Sequence, residues 1–167
     1  MSNDSPAPEP MLPPGATPEQ VAEIDRRSAT FRAAQHDQNA MDALWRAIYD
    51  LEHWLFIPRG QMDAPTPFAI HHDRGPLLLA FTTPDRARHA ALLSGLPEDE
   101  AGMVLAVPMP GAVGWAASLA DGGITGMVVD YGTLDLVAPI GNLVPMQRWF
   151  ESGSVTGSPE SDSTPGG

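Results

Sequence analysis

The side chains with the most chemical reach in this sequence are five histidines and 21 carboxylates; it has no cysteine, and all nine bases are arginine. The densest grouping is His71-His72-Asp73, with His36, His53 and His89 available to complete a metal site. Adjacent residues of a regular strand point to opposite faces, so His71 and His72 cannot reach one ion from a strand. No ligand spacing supports a metal, and the polarity of a hairpin is the better account of the trio. A phosphate reading would use Gly111, Gly114, Gly122, Gly123 and Gly126, because a helix N-terminus that opens on glycine can hold an anion. Yet the chain has no G-x-G-x-x-G run and no Walker lysine, and its charge is negative. Gly122-Gly123 reads more simply as a helix cap and turn.

Nucleophilic catalysis finds no better footing. Ser94, Ser118 and Thr83 lie in no elbow, and Asp85 with His89, four residues apart, reads as a surface ion pair before it reads as an oriented base. Glu98-Asp99-Glu100 are neighbouring loop acids, without the separated environments that paired acid–base carboxylates need. No catalytic, cofactor-binding or metal-binding residue is therefore assigned, and no cofactor. Trp45, Trp54, Trp115 and Trp149, with Phe56, Phe81 and Phe150, read mostly as core. The candidates for an interaction patch are Trp149 and Phe150, beside a polar C-terminal stretch, together with Trp54 and Trp115. Exposure of such residues marks a binding surface, because monomers rarely leave them uncovered. Packing against the last strand is the favoured competing reading.

The chain has 167 residues, is 43% hydrophobic and carries a formal charge of -12, which suits one domain with a real core and polar ends. Residues 1–20 and 151–167 each hold three acids and no base, and residues 21–150 hold 15 acids against nine arginines. Such a field repels phosphate backbones and anionic lipid, so nucleic acid and membrane are excluded as expected partners, whereas a protein partner, basic in character, is favoured. The sequence is also compatible with a homo-oligomer. Without cysteine there are no disulfides and no thiolate chemistry. No apolar run approaches the roughly 18 residues of a membrane helix. The opening "MSNDSPAPEPMLPPG" has no basic n-region and no apolar h-region. A cytoplasmic location is the resulting expectation.

Residues 1–18, with six prolines, and 152–167, "SGSVTGSPESDSTPGG", are expected to be disordered tails around a single domain at 19–151. Thr17, Pro18 and Glu19 read as N-cap, first-turn proline and an acid at the positive helix end, opening a helix with a thin stripe through Val21, Ile24, Ser28 and Phe31. Met41, Leu44, Trp45, Ile48 and Leu51 form a stronger helical face over 41–52. "WLFIP" reads as a strand closed by proline, and "PFAIHH" with "PLLLAFT" as a hairpin turning at Asp73-Arg74-Gly75. Thr82 or Thr83 then caps a helix with Pro84 at its first position. "MVLAVPM" is a strand, and Pro110-Gly111 opens a helix that stops at Gly122-Gly123. "ITGMVVD" and "LDLVAP" form a second hairpin-like pair, and "NLVPMQRWF" a last helical piece. The pattern predicts an α+β fold: a mixed, largely antiparallel sheet of about five to six strands packed with helices.

Gly75 followed by Phe81-Thr82-Thr83-Pro84-Asp85-Arg86, and later Gly126 to Gly132, resemble two segments of the SseB-like family, whose bacterial members are named for enhanced serine sensitivity. The resemblance spans about residues 42–150 and covers the N-terminal domain of that family. Here Asp130 and Tyr131 stand where relatives carry an Asn-Pro pair. The resemblance implies an SseB-type fold and carries over no reaction and no catalytic residue. The reading that follows is a non-enzymatic interaction or regulatory module. Its alternatives are an acidic immunity protein that neutralises a basic toxin, and a small-molecule sensor with a pocket near Trp115 and Gly111.

Overall fold

The structure is a computed structural model, and it describes residues 15–34, 37–61 and 64–155. Helix α1 (Pro18–Ala33) starts as its sequence dictates. The Thr17 hydroxyl accepts from the Gln20 N–H, and the Gln20 side chain accepts from the Thr17 N–H, which closes a capping box. Helix α2 (Gln38–Tyr49) opens on Asp37, ahead of the Met41 start that its apolar spacing marks, because the cap and not the first apolar residue sets a helix start. Strand β1 (His53–Phe56) follows. Strands β2 (Pro58–Gln61) and β3 (Ala64–Pro67) form a hairpin that the prolines hide in the sequence; it pairs only with itself, where proline is tolerated.

Strand β4 (Ala69–Ile70) turns into β5 (Leu77–Ala80) through Gly75, whose φ of +119° and close approach to Thr125 admit no side chain. Thr83 caps α3 (Pro84–Leu93) by accepting from the Arg86 N–H at 3.1 Å, so Thr82 is left for another role. One turn of helix, α4 (Glu98–Ala101), carries the acids read as loop. Strand β6 (Leu105–Pro108), helix α5 (Gly111–Ser118) with a 3-10 turn to Gly122, and strands β7 (Gly126–Val129) and β8 (Leu136–Pro139) come next. A second 3-10 turn leads into α6 (Leu143–Val155).

The class is mixed α+β, but the strands do not form one sheet of five to six. The eight strands of the described residues divide into a β1–β6 ribbon, the β2–β3 ribbon and a four-stranded sheet ordered β4-β5-β7-β8. Only β5 and β7 run parallel. The division follows from the shortness of β5. Its outer edge is shared between β4, which covers Leu77 and Leu78, the Phe68 carbonyl, which takes the Leu79 N–H, and Leu55 of β1. Leu55 and Phe81 exchange both backbone hydrogen bonds, at 3.1 and 2.8 Å, and so join the first ribbon to the sheet.

Strand alternation then makes two cores. Leu78, Ala80, Met127, Val129, Leu136 and Ala138 face one side and pack with Ile24, Leu44, Trp45, Ile48 and Leu143 of the α1, α2 and α6 layer. Leu77, Leu79, Phe81 and Val128 face the other side, against Ala87, Ala90 and Ala91 of α3. Both faces are covered, so β5 and β7 are wholly buried, as their continuous apolar runs require. The small face of α3 lets that helix lie close to the sheet.

The ordered domain is longer than 19–151. The Ala16 N–H donates to the Thr82 carbonyl at 2.8 Å, and Gly15 lies against Pro84, so residues 15–18 belong to the domain and not to a tail. At the other end α6 runs to Val155. The rest of both expected tails, 1–14 and 156–167, falls outside the described residues.

Candidate functional site

Two places in the molecule concentrate unusual side chains, and they are opposites. The first is polar and sealed. Asp130 follows the buried run of β7, is 0% exposed, and has a φ of +55° that aspartate tolerates better than most residues. One carboxylate oxygen accepts from the Thr82 N–H at 2.8 Å. The other accepts from the Thr82 hydroxyl at 2.7 Å and the Arg86 guanidinium at 2.9 Å. Arg86 reaches outward as well, with bonds of 2.9 Å to both carboxylate oxygens of Asp25 on α1. The Asp130 backbone N–H donates to the Ala80 carbonyl, and its own carbonyl accepts from the Thr133 and Leu134 N–H groups, at 2.8 and 2.9 Å, which winds the β7–β8 turn around it.

Burial pushes the Asp130 carboxyl above the ordinary aspartate value, against the pull of Thr82 and Arg86. Burial also works against the charge of Arg86, but the bonds to Asp130 and Asp25 outweigh it and hold that group above the ordinary arginine value. Every partner in this cluster is used inside the protein. Its chemistry is cross-linking: it ties α1, the start of α3 and the end of β7 together. The "FTTPDR" and Gly126–Gly132 segments thus meet through Asp130.

The second place is apolar and open. Trp149 is 62% exposed and Val137 is 54% exposed. Both border a groove of about 590 Å³ between α2, β8 and α6, lined by Met41, Trp45, Pro139 and Met146 among others. A neighbouring hollow of about 310 Å³, lined by Phe31 and Asp37, shares Gln38 and Met41 with it. The local cause is helical geometry. Consecutive residues of α6 are rotated by about 100°, so when Phe150 turns inward Trp149 must turn out. Phe150 stacks edge-on against Tyr49 at 5.1 Å and lies under the Arg46 guanidinium at 4.9 Å. Tyr49 in turn donates to the Leu143 carbonyl at 2.8 Å, and burial pushes its phenol well above the ordinary tyrosine value. On β8, Leu136 and Ala138 point into the core while Val137 is exposed.

Of the four aromatic candidates, the structure leaves one on the surface. Trp54 is 2% exposed and donates its indole N–H to the Ile48 carbonyl, which makes it a core residue and removes it from the patch, whereas Phe150, 6% exposed, packs into the core and still lines the groove. Trp115 is half-buried, edge-on to Phe56 at 4.9 Å, and lies on neither wall of the groove. His71 and His72 are not in a strand but in the exposed loop beyond β4, and His36 falls outside the described residues. Among the described residues no three His, Asp or Glu side chains gather as metal ligands. Asp85 and His89 form no ion pair there. Gly126 serves packing: a Cβ on it would sit 2.9 Å from Leu77 and 3.2 Å from the Ala138 carbonyl.

Sequence reasoning missed both the Asp130 cross-link and the groove. The available signal for the first was a carboxylate ending an otherwise apolar strand run. For the second there was none, because Val137 and Met146 look like core. No helix of the described residues is long and apolar enough to cross a membrane. No family model, no curated protein and no solved structure matches the chain.

Proposed function

We propose that the protein is a non-enzymatic interaction module of SseB-like type, which docks a protein partner in the groove between α2, β8 and α6. The observation that carries this reading is the exposure of Trp149 and Val137 on an apolar groove, because a tryptophan at the rim of a hollow is the residue type that most often anchors a protein contact. The SseB-like fold is supported by the pairing of the two segments that carry the resemblance, which contribute the neighbouring strands β5 and β7. A non-catalytic role is supported by the closure of the main polar cluster upon itself.

A photo-crosslinking residue placed at Val137, with a second placement at exposed Leu93 of α3 as control, tests the docking face in the source cells. The expected result is one crosslinked protein at position 137, absent at position 93 and abolished by Met146→Glu. Equal crosslinking at both positions would overturn the assignment of the groove.

A further inference from the structure

The groove has a charge and a shape that select among partners. Resting on the reading of this groove as the docking face, we infer that its occupant is a basic amphipathic helix of another protein. The first argument is charge. Among the described residues, the one acidic side chain lining the groove is Asp42, the adjoining hollow adds Asp37, and no base lines either. Asp42 accepts from the Gln38 amide at 2.9 Å and Asp37 from the Asn39 N–H at 3.1 Å, and among the described residues neither meets an arginine. The arginines on the neighbouring elements are engaged elsewhere or turned away: Arg46, four residues along α2 from Asp42, donates to the Phe150 carbonyl at 3.3 Å and lies over its ring, Arg32 is held on the Leu134 carbonyl at 3.1 Å, and Arg148 stands a step of about 100° around α6 from Trp149. A chain charge of -12 attracts cationic segments to the molecule at long range.

The second argument is the lining. Met41 and Met146 are flexible thioethers that line the groove together with Trp45 and Trp149, a combination that moulds to the apolar ridge of a helix. The third argument disfavours an added strand. A peptide that extends β8 needs free backbone donors along its outer edge, but Pro139 has no N–H and the Asp135 N–H is spent on the Asp130 carbonyl at 3.2 Å, which leaves the Val137 N–H between them. A helix seated in a groove asks for none.

The test uses the full chain and two labelled 18-residue peptides of helical periodicity, one of leucine and lysine and one with glutamate at every lysine, read by fluorescence anisotropy across a salt series. The leucine–lysine peptide is expected to bind, about tenfold more weakly to Trp149→Ala. Binding to Asp42→Asn should be about threefold weaker with a flatter salt dependence, and Asp121→Asn, a remote exposed acid, should change nothing. Equal binding of both peptides, still lost in Trp149→Ala, would overturn the basic helix and leave the docking face standing. Binding that ignores Trp149→Ala and Met146→Glu, or no binding by either peptide, overturns both. Sedimentation of the protein alone reads the remaining occupant: a dimer that dissolves in Trp149→Ala assigns the groove to a second copy and overturns the inference.

Discussion

The Asp130 cluster and the Trp149 groove invert the usual placement of polar and apolar groups. In the first, a carboxylate sits at zero exposure with both oxygens bonded; in the second, among the described residues, a tryptophan and a valine stand more than half exposed. A buried charge persists in a fold only when it is paired and hydrogen-bonded, and the Asp130 cluster meets that condition with Thr82 and Arg86. An exposed tryptophan beside a hollow is the reverse: packing that another surface can complete. The contrast teaches that in this molecule the most buried polar cluster is a structural tie, while the exposed apolar groove is the face proposed for docking.

That contrast can be broken first at its strongest point. Asp130→Ala strips Thr82 and Arg86 of their buried acceptor, and the fold is expected to lose about 3–5 kcal/mol, read from the denaturation midpoint. Asp130→Asn, which keeps the tolerance for positive φ, should lose less. A loss under about 1 kcal/mol for Asp130→Ala would mean the cluster is not the lock described. Trp149→Ala should do the opposite, costing partner affinity about 2 kcal/mol or more while leaving stability within about 0.5 kcal/mol.

Tyr49 braces the helix that presents Trp149, and Tyr49→Phe is expected to cost about 1 kcal/mol through the lost bond to Leu143. Its phenol is raised in the folded state, so the fold holds a proton that the unfolded chain releases first. The stabilisation is whole below the ordinary phenol value of about 10 and declines as pH climbs past it. An absorbance titration at 295 nm should therefore show one of the two tyrosines silent until the protein unfolds. The smallest effect belongs to Asp25→Asn: with Asp25 about half exposed, its link to Arg86 is expected to contribute at most about 1 kcal/mol. Faster amide exchange confined to α1 would locate that loss.

Legibility followed the range of the interactions. The start of α1 at Thr17-Pro18, the start of α3 at Thr83-Pro84, the turn at Gly75 and the stop at Gly123 were readable because cap, proline and glycine act on their immediate neighbours. The β2–β3 hairpin was not, because Pro58, Pro65 and Pro67 argue against a strand unless the pair stands apart from the sheets. The splitting of one expected sheet into three depended on which backbone groups of β5 each neighbour claimed, and no local pattern encodes that. Of the four aromatic candidates, Trp149 alone is exposed. Trp54 and Phe150 differ from it in what packs over them and not in residue type.

What the amino-acid order determined here is the set of elements, the α+β class and the absence of thiol chemistry, since propensity, capping and composition act within a few residues along the chain. What only the tertiary structure decided is which polar groups meet and which apolar ones stay bare. Asp130 and Thr82 are 48 residues apart, and Trp149 and Val137 border one groove because α6 folds back beside β8. Neither encounter leaves a local trace, because side-chain exposure is a property of what the rest of the chain brings alongside.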